Sequence, residues 1–210
     1  MIAELAKQGT ATVHEAMGRI GYLGPGIMPI QRGTSIAGSA VTVSCHAGDN
    51  LMIHAAVAVC EPGDLLVVAT TAPSTHGMFG ELLATSLTAR GVLGLVIGAG
   101  VRDTSELRSM GFPVWSTCVS CEGTVKATAG AVNVPVVLGQ QLVSPGDVVC
   151  ADDDGVVVVA REDAEWALQE SRARVRHEAE VRQRLAAGEL GLDVYGLRDV
   201  LGRLGVEFED

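Results

Sequence analysis

The chain has 210 residues, 48% of them hydrophobic, enough to fill one globular domain with a sizeable core. A net charge of −10, with only two Trp, two Tyr and three Phe, argues against nucleic-acid binding, which needs clustered cations and stacking platforms. No apolar run reaches the roughly 18 residues of a membrane span, the first residues carry no apolar signal core, and the odd count of five cysteines suits a reducing compartment, so the expectation is a cytoplasmic protein.

In chain order, "TVHEAMGRIG" sets Thr12 and Glu15 in capping-box spacing and predicts a short helix closed by Gly21. "AGSAVTVSC" alternates as a strand, "DNLMIHAAVAVC" has helical spacing, and "EPGD" turns the chain into the apolar strand "LLVVAT". "GELLATSLTARG" predicts another helix and "VLGLVIG" another buried strand, the alternation of an α/β domain with a covered sheet. From Pro113 the signals become successive strands: "PVWSTCV", "GTVKATA", "VPVVLG", "DVVCA" and "GVVVVA". A charged helix from about 162 to 187 and an apolar-patterned tail "GLDVYGLRDVLGRLGV" follow. Trp166 and Leu168 predict docking of that helix near its start, with its later turns projecting.

The most informative stretch is "GLVIGAGVRD", Gly94 to Asp103. Gly98 and Gly100 are spaced as in a dinucleotide-binding turn, yet Asp103 replaces the third glycine and would repel a phosphate. Asp103 and Glu106 have N-cap and N3 spacing, so Asp103 either caps the next helix or is delivered with Arg102 into the crevice at the end of a parallel strand. In the second case one carboxylate can hold a hard cation and the guanidinium can stabilise charge on a substrate oxygen. Gly80 opens a helix whose N–H groups around Glu81, Leu82 and Leu83 form a socket for a substrate carboxylate, or Glu81 simply complements the helix dipole.

Other candidates have plainer readings. Asp152, Asp153 and Asp154 are consecutive before Gly155, which reads as a hairpin turn rather than a calcium loop. Cys118 and Cys121 form a C-x-x-C with no second pair to complete a metal site. A Schiff-base mechanism would have to use Lys126, whose neighbours predict an alternating strand position. His54 reads as packing or as a secondary pocket residue, and Glu178, four residues after Arg174 and four before Arg182, as one of a solvated row of charges.

Together, "ATVHEAMGRIG", "GDNLMIH", "GELLATS", "GAGVRD", "FPVWS", "GTVKATAGAVN", "PGDVVCADDDGVVVV" and "GLDVYGLR" resemble the class II pyruvate aldolases of the 4-hydroxy-4-methyl-2-oxoglutarate / 4-carboxy-4-hydroxy-2-oxoadipate type, which share a fold with the regulator of ribonuclease activity A. The resemblance implies a single α/β domain over residues 1–210, a central mixed sheet or sandwich flanked by helices, swivelling phosphohistidine-domain-like, with a projecting C-terminal helix. It implies Asp103 as the direct Mg²⁺ or Mn²⁺ ligand and Arg102 as the cation that stabilises an enolate. By the same resemblance Glu81 holds metal-bound water, Gly80 and the backbone of Leu82 and Leu83 receive the pyruvyl carboxylate, and Glu178 reaches a neighbouring subunit's metal waters in a homotrimer or hexamer. The implied reaction is cleavage of a 4-hydroxy-2-oxo acid to pyruvate and a second oxo acid, with oxaloacetate decarboxylation as a side activity. A non-catalytic binding protein of the ribonuclease-regulator kind and a dedicated oxaloacetate decarboxylase are the alternatives.

Overall fold

Valine- and leucine-rich runs, too apolar to leave either face in water, pair into one mixed sheet. The computed structural model describes residues 1–206. Its strands are β1 (Met28–Pro29), β2 (Ile36–Cys45), β3 (Asp64–Thr70), β4 (Gly77–Phe79), β5 (Gly94–Val101), β6 (Val114–Val119), β7 (Ala131–Val132), β8 (Val136–Leu138), β9 (Gln141–Val143), β10 (Val148–Asp152) and β11 (Gly155–Val159). The helices are α1 (Ile2–Ala6), α2 (Thr10–Ala16), α3 (Leu51–Val57), α4 (Glu81–Thr88), α5 (Thr104–Ser109), α6 (Ala164–Ala186), α7 (Gly191–Val194) and α8 (Arg198–Arg203).

The main sheet runs β1-β6-β5-β3-β2-β10-β11, with β4 added beside β5 and β7 beside β2. Strands β2, β3, β5 and β6 are parallel, whereas β10 runs antiparallel to both β2 and β11. The outermost strands β1 and β11 touch, so the sheet is nearly closed, and β8 and β9 form a separate hairpin. Side-chain alternation sorts the parallel strands onto two cores. Leu66, Val68, Leu95 and Ile97 pack with Phe79, Leu83 and Phe112, while Leu65, Val67 and Val96 pack with Trp115, Leu138 and Val156. The chain divides into two compact units, Met1–Ser171 and Arg172–Asp210, with the boundary inside α6. Among the described residues no helix is long and apolar enough to cross a membrane.

Four sequence expectations change. Helix α2 begins at Thr10, and its start is held from elsewhere: Asp152 accepts the Thr10 N–H at 2.7 Å and its hydroxyl at 2.5 Å. Gly98 and Gly100 lie inside β5 and form no turn; a Cβ on Gly98 would press on Leu138, and one on Gly100 on the carbonyls of Thr75 and His76. These glycines let neighbours approach the strand. "GTVKATA" forms no strand, its one ladder contact being an isolated bridge between Val125 and Asp49. Finally, α6 seats its start through Ala164, Ala167 and Leu168, one helical face, while Trp166 is 47% exposed. The acidic hairpin behaves as read: Asp152 pairs with Gly155 across the two-residue loop Asp153–Asp154.

Candidate active site

The parallel strand β5 ends at Val101, and the next two residues carry the chemistry. Arg102 donates its N–H to the Phe79 carbonyl at 2.8 Å, which fixes where the chain leaves the sheet. Asp103 follows in the left-handed region, φ 55° and ψ 40°, a conformation that non-glycine residues adopt at a cost and that clusters at functional sites. It occupies the N-cap position of α5, yet its carboxylate makes no capping bond there. Asp103 Oδ2 instead accepts the Glu81 N–H at 3.1 Å, from the first turn of α4, and lies 3.6 Å from Arg102 Nε. The capping reading of Asp103 is therefore replaced by a link between two helix starts.

Gly80 makes that link possible. Its backbone is extended, so no special dihedral requires glycine; the space does, because a Cβ there would overlap the Asp103 carboxylate and press on Arg102 Cγ. With the Glu81 N–H engaged by Asp103, Leu82 and Leu83 supply the remaining donors of the first turn of α4, which an α-helix cannot satisfy internally. The Glu81 side chain folds along its own helix, where Oε1 accepts the Thr85 hydroxyl at 3.0 Å.

Arg102, Asp103, Gly80, Leu82 and Leu83 line a cleft of about 450 Å³, measured to its open mouth. Asn50, His54 and Lys126 line the same cleft; the sequence pattern marks His54 as packing or a pocket residue and Lys126 as a strand position, and carries no signal of its own for Asn50. Asn50 is buried at the N-cap of α3; its Nδ2 donates to the Met78 carbonyl at 3.0 Å, and its Oδ1 has no partner among the described residues. A buried acceptor without a donor is costly in a folded protein, and this one belongs to a residue of the cleft lining. Burial, and after it the nearby Lys126 ammonium, lowers the His54 pKa, so its imidazole is neutral at neutral pH. No carboxylate pairs with Lys126 among the described residues.

Glu178 lies in the second unit on α6, its Oε1 2.8 Å from Arg174 Nε. All five cysteines are free, and burial pushes the Cys45 and Cys150 thiols up to about 12, so neither is a nucleophile at neutral pH. Among the described residues no group of three or more His, Cys, Asp or Glu side chains could hold a metal ion. What the cleft does offer a cation is one half-exposed carboxylate, Asp103, in a space kept open by Gly80. That donor set fits a hard ion which keeps several waters and takes its other ligands from a substrate.

Residues 10–158 match the RraA-like family, described as Aldolase/RraA. The chain belongs to this family. A protein of Halalkalibacterium halodurans named "Putative 4-hydroxy-4-methyl-2-oxoglutarate aldolase" is 27% identical over 175 residues, 83% of each chain. One of the same name from Shewanella oneidensis is 32% identical over 121 residues, 58% of this chain and 73% of that one. Among solved structures, Streptomyces coelicolor RraAS2, described as an unusual member of the RNase ES inhibitor RraA protein family, has 28% identity and a TM-score of 0.75 over 86% of this chain and 96% of that one. An uncharacterized protein from Pseudomonas syringae has a TM-score of 0.81 at 24% identity over 91% of each chain, a likeness of fold. The resemblance read from the motifs and the mixed α/β fold are both borne out.

Proposed function

We propose that the cleft cleaves a 4-hydroxy-2-oxo acid bearing a second anionic group, such as 4-hydroxy-4-methyl-2-oxoglutarate or 4-carboxy-4-hydroxy-2-oxoadipate, to pyruvate and a second oxo acid. The observation that carries this reading is the chemistry of the cleft lining, which brings together Arg102 and Asp103, a second cation, Lys126, and Asn50, whose Oδ1 lacks a donor among the described residues. A substrate with a 2-oxo carboxylate at one end, a hydroxyl donor and a distal carboxylate meets each of these groups with its complement.

In this scheme the Leu82 and Leu83 N–H groups receive the pyruvyl carboxylate at the helix start. Arg102 binds the C2 oxygen, where negative charge develops as the C3–C4 bond breaks and its electrons delocalise as an enolate. A Mg²⁺ or Mn²⁺ held by Asp103 would supply Lewis acidity to the same end of the substrate. Asn50 Oδ1 accepts from the C4 hydroxyl and Lys126 attracts the distal carboxylate. The hydroxyl proton must leave as C4 becomes a carbonyl, and C3 must gain one to give pyruvate. Glu81, and Glu178 from a neighbouring copy in a homotrimer or hexamer, are the carboxylates proposed to carry these protons through water. Oxaloacetate loses CO₂ through the same enolate and is expected as a second substrate.

A coupled assay for pyruvate release tests the reading, run over several 4-hydroxy-2-oxo acids and oxaloacetate with and without Mg²⁺. Metal-dependent pyruvate from at least one hydroxy acid is expected. Release from none of them, with the ion present, would overturn it.

A further inference from the structure

Asp49 is a carboxylate 2% exposed, outside the cleft lining, with no cation paired to it among the described residues. Burying a charge is unfavourable unless hydrogen bonds replace its water. Here backbone does so: Oδ1 accepts the Leu51 N–H at 2.9 Å, and Oδ2 accepts those of Ala127 at 2.8 Å and Thr128 at 2.7 Å. These bonds, with the Leu51 contribution largest, hold the carboxyl down at about 2 against the opposing effect of burial.

The two ends of this bridge lie next to residues of the cleft lining. Leu51 opens α3, which carries Asn50 at its cap and His54 one turn on. Ala127 and Thr128 directly follow Lys126. On the other side of Lys126, the Val125 N–H donates to the Gly48 carbonyl at 3.0 Å and the Val125 carbonyl accepts the Asn50 N–H at 3.1 Å. Lys126 is thus bracketed by bonds to residues 48–50, in a stretch that belongs to no helix or strand and whose lysine has no ion pair among the described residues.

We propose that Asp49 is a positioning residue which sets Lys126 at a fixed reach from Asn50 and thereby selects substrates that carry a distal carboxylate. The proposal rests on the functional reading above, and it deepens that reading by giving the specificity for a second anionic end to a residue that touches no substrate. A neutral side chain cannot replace Asp49 without loss. An amide keeps one acceptor oxygen but turns an N–H₂ toward backbone N–H groups, so at least one bond of the three is lost.

The test separates the two ends of the substrate. Cleavage of 4-hydroxy-4-methyl-2-oxoglutarate engages Lys126 through the carboxylate beyond C4, whereas exchange of the pyruvate C3 protons with deuterated solvent, followed by NMR, needs only the Arg102 end. For Asp49→Asn we expect the KM for this hydroxy acid to rise roughly tenfold with kcat and pyruvate exchange within about twofold of native. Asp49→Glu, which keeps the carboxylate, should recover part of the loss. Thr128→Pro removes the Thr128 donors with Asp49 intact and should raise KM in the same direction. Equal loss of both activities in Asp49→Asn and Thr128→Pro would show a general structural role and overturn the proposal, as would an unchanged KM for the hydroxy acid. If the native protein neither cleaves the hydroxy acid nor exchanges pyruvate, the functional reading falls. Backbone hydrogen exchange then decides the clamp by itself: residues 125–128 should exchange at least tenfold faster in Asp49→Asn, and an unchanged rate overturns it.

Discussion

A side-chain carbon on Gly80 would occupy the place of the Asp103 carboxylate. The two residues lie on different elements, and the absence of one methyl group lets the end of β5 meet the start of α4. Gly80→Ala is expected to displace Asp103 and Arg102 and lower kcat by on the order of 10²-fold, since an error of about 1 Å is enough. Asp103 and Arg102 are both about half exposed and free to swing aside, so thermal stability should change little. Steady-state kinetics alongside a melting curve checks both halves, and native-like turnover would mean that the position of Asp103 is unimportant.

Arg102 should act on charge that develops during the reaction rather than on ground-state binding. Arg102→Ala is expected to reduce kcat by on the order of 10² or more, with a smaller effect on metal affinity. Arg102→Lys should recover only part of it, because an ammonium lacks the planar fork of the guanidinium.

The proposed mechanism gives the metal one protein ligand, Asp103, so its binding should be weak and reversible. EDTA should abolish pyruvate release and Mg²⁺ or Mn²⁺ should restore it. Because Lys126 lines the cleft and is not fixed in a strand, borohydride treatment with pyruvate present is the needed control. No adduct on Lys126 is expected by mass spectrometry; a stoichiometric one would replace the metal mechanism with a Schiff base.

His54 gives a pH signature. Its pKa is lowered by burial and then by Lys126, so the unfolded chain takes up the proton more readily than the folded one. Its contribution to stability is therefore complete above about 6.5 and is lost as the pH falls through the lower folded value. His54→Gln should flatten the fall in melting temperature between about pH 7 and 5. In NMR titrations, Lys126→Met should move the His54 midpoint part of the way back up; an unmoved midpoint would place the ammonium too far away to act on it.

The proposed sharing of Glu178 between copies can be read by complementation. Asp103→Ala and Glu178→Ala chains, each nearly inactive, are unfolded and refolded together. Mixed oligomers should regain activity through interfaces that pair an intact Asp103 with an intact Glu178, and neither parent treated alone should. Mixed oligomers confirmed by mass but inactive would remove Glu178 from the neighbour's site.

The sequence by itself determined the elements whose signal is local. Apolar runs bounded by turns marked β3, β5, β10 and β11 because strands buried on both faces have no alternative environment, alternation marked β2, and the Asp-rich hairpin was legible from its turn residues. Arg102 and Asp103 stood out in the sequence as adjacent charges at the end of a buried strand, with capping of the next helix as the other reading of Asp103. What only the tertiary structure decided are contacts between residues far apart in the chain. Asp152 caps α2 from 142 positions away, Asp103 turns from its own helix to the Glu81 N–H, and Asp49 binds backbone 78 and 79 residues later. The residues around Lys126 have strand-like propensity, yet they form a cleft wall because a buried carboxylate takes their N–H groups before a neighbouring strand can. Propensity is set by a residue's own chain neighbours, whereas a buried charge draws donors from whatever the fold brings near.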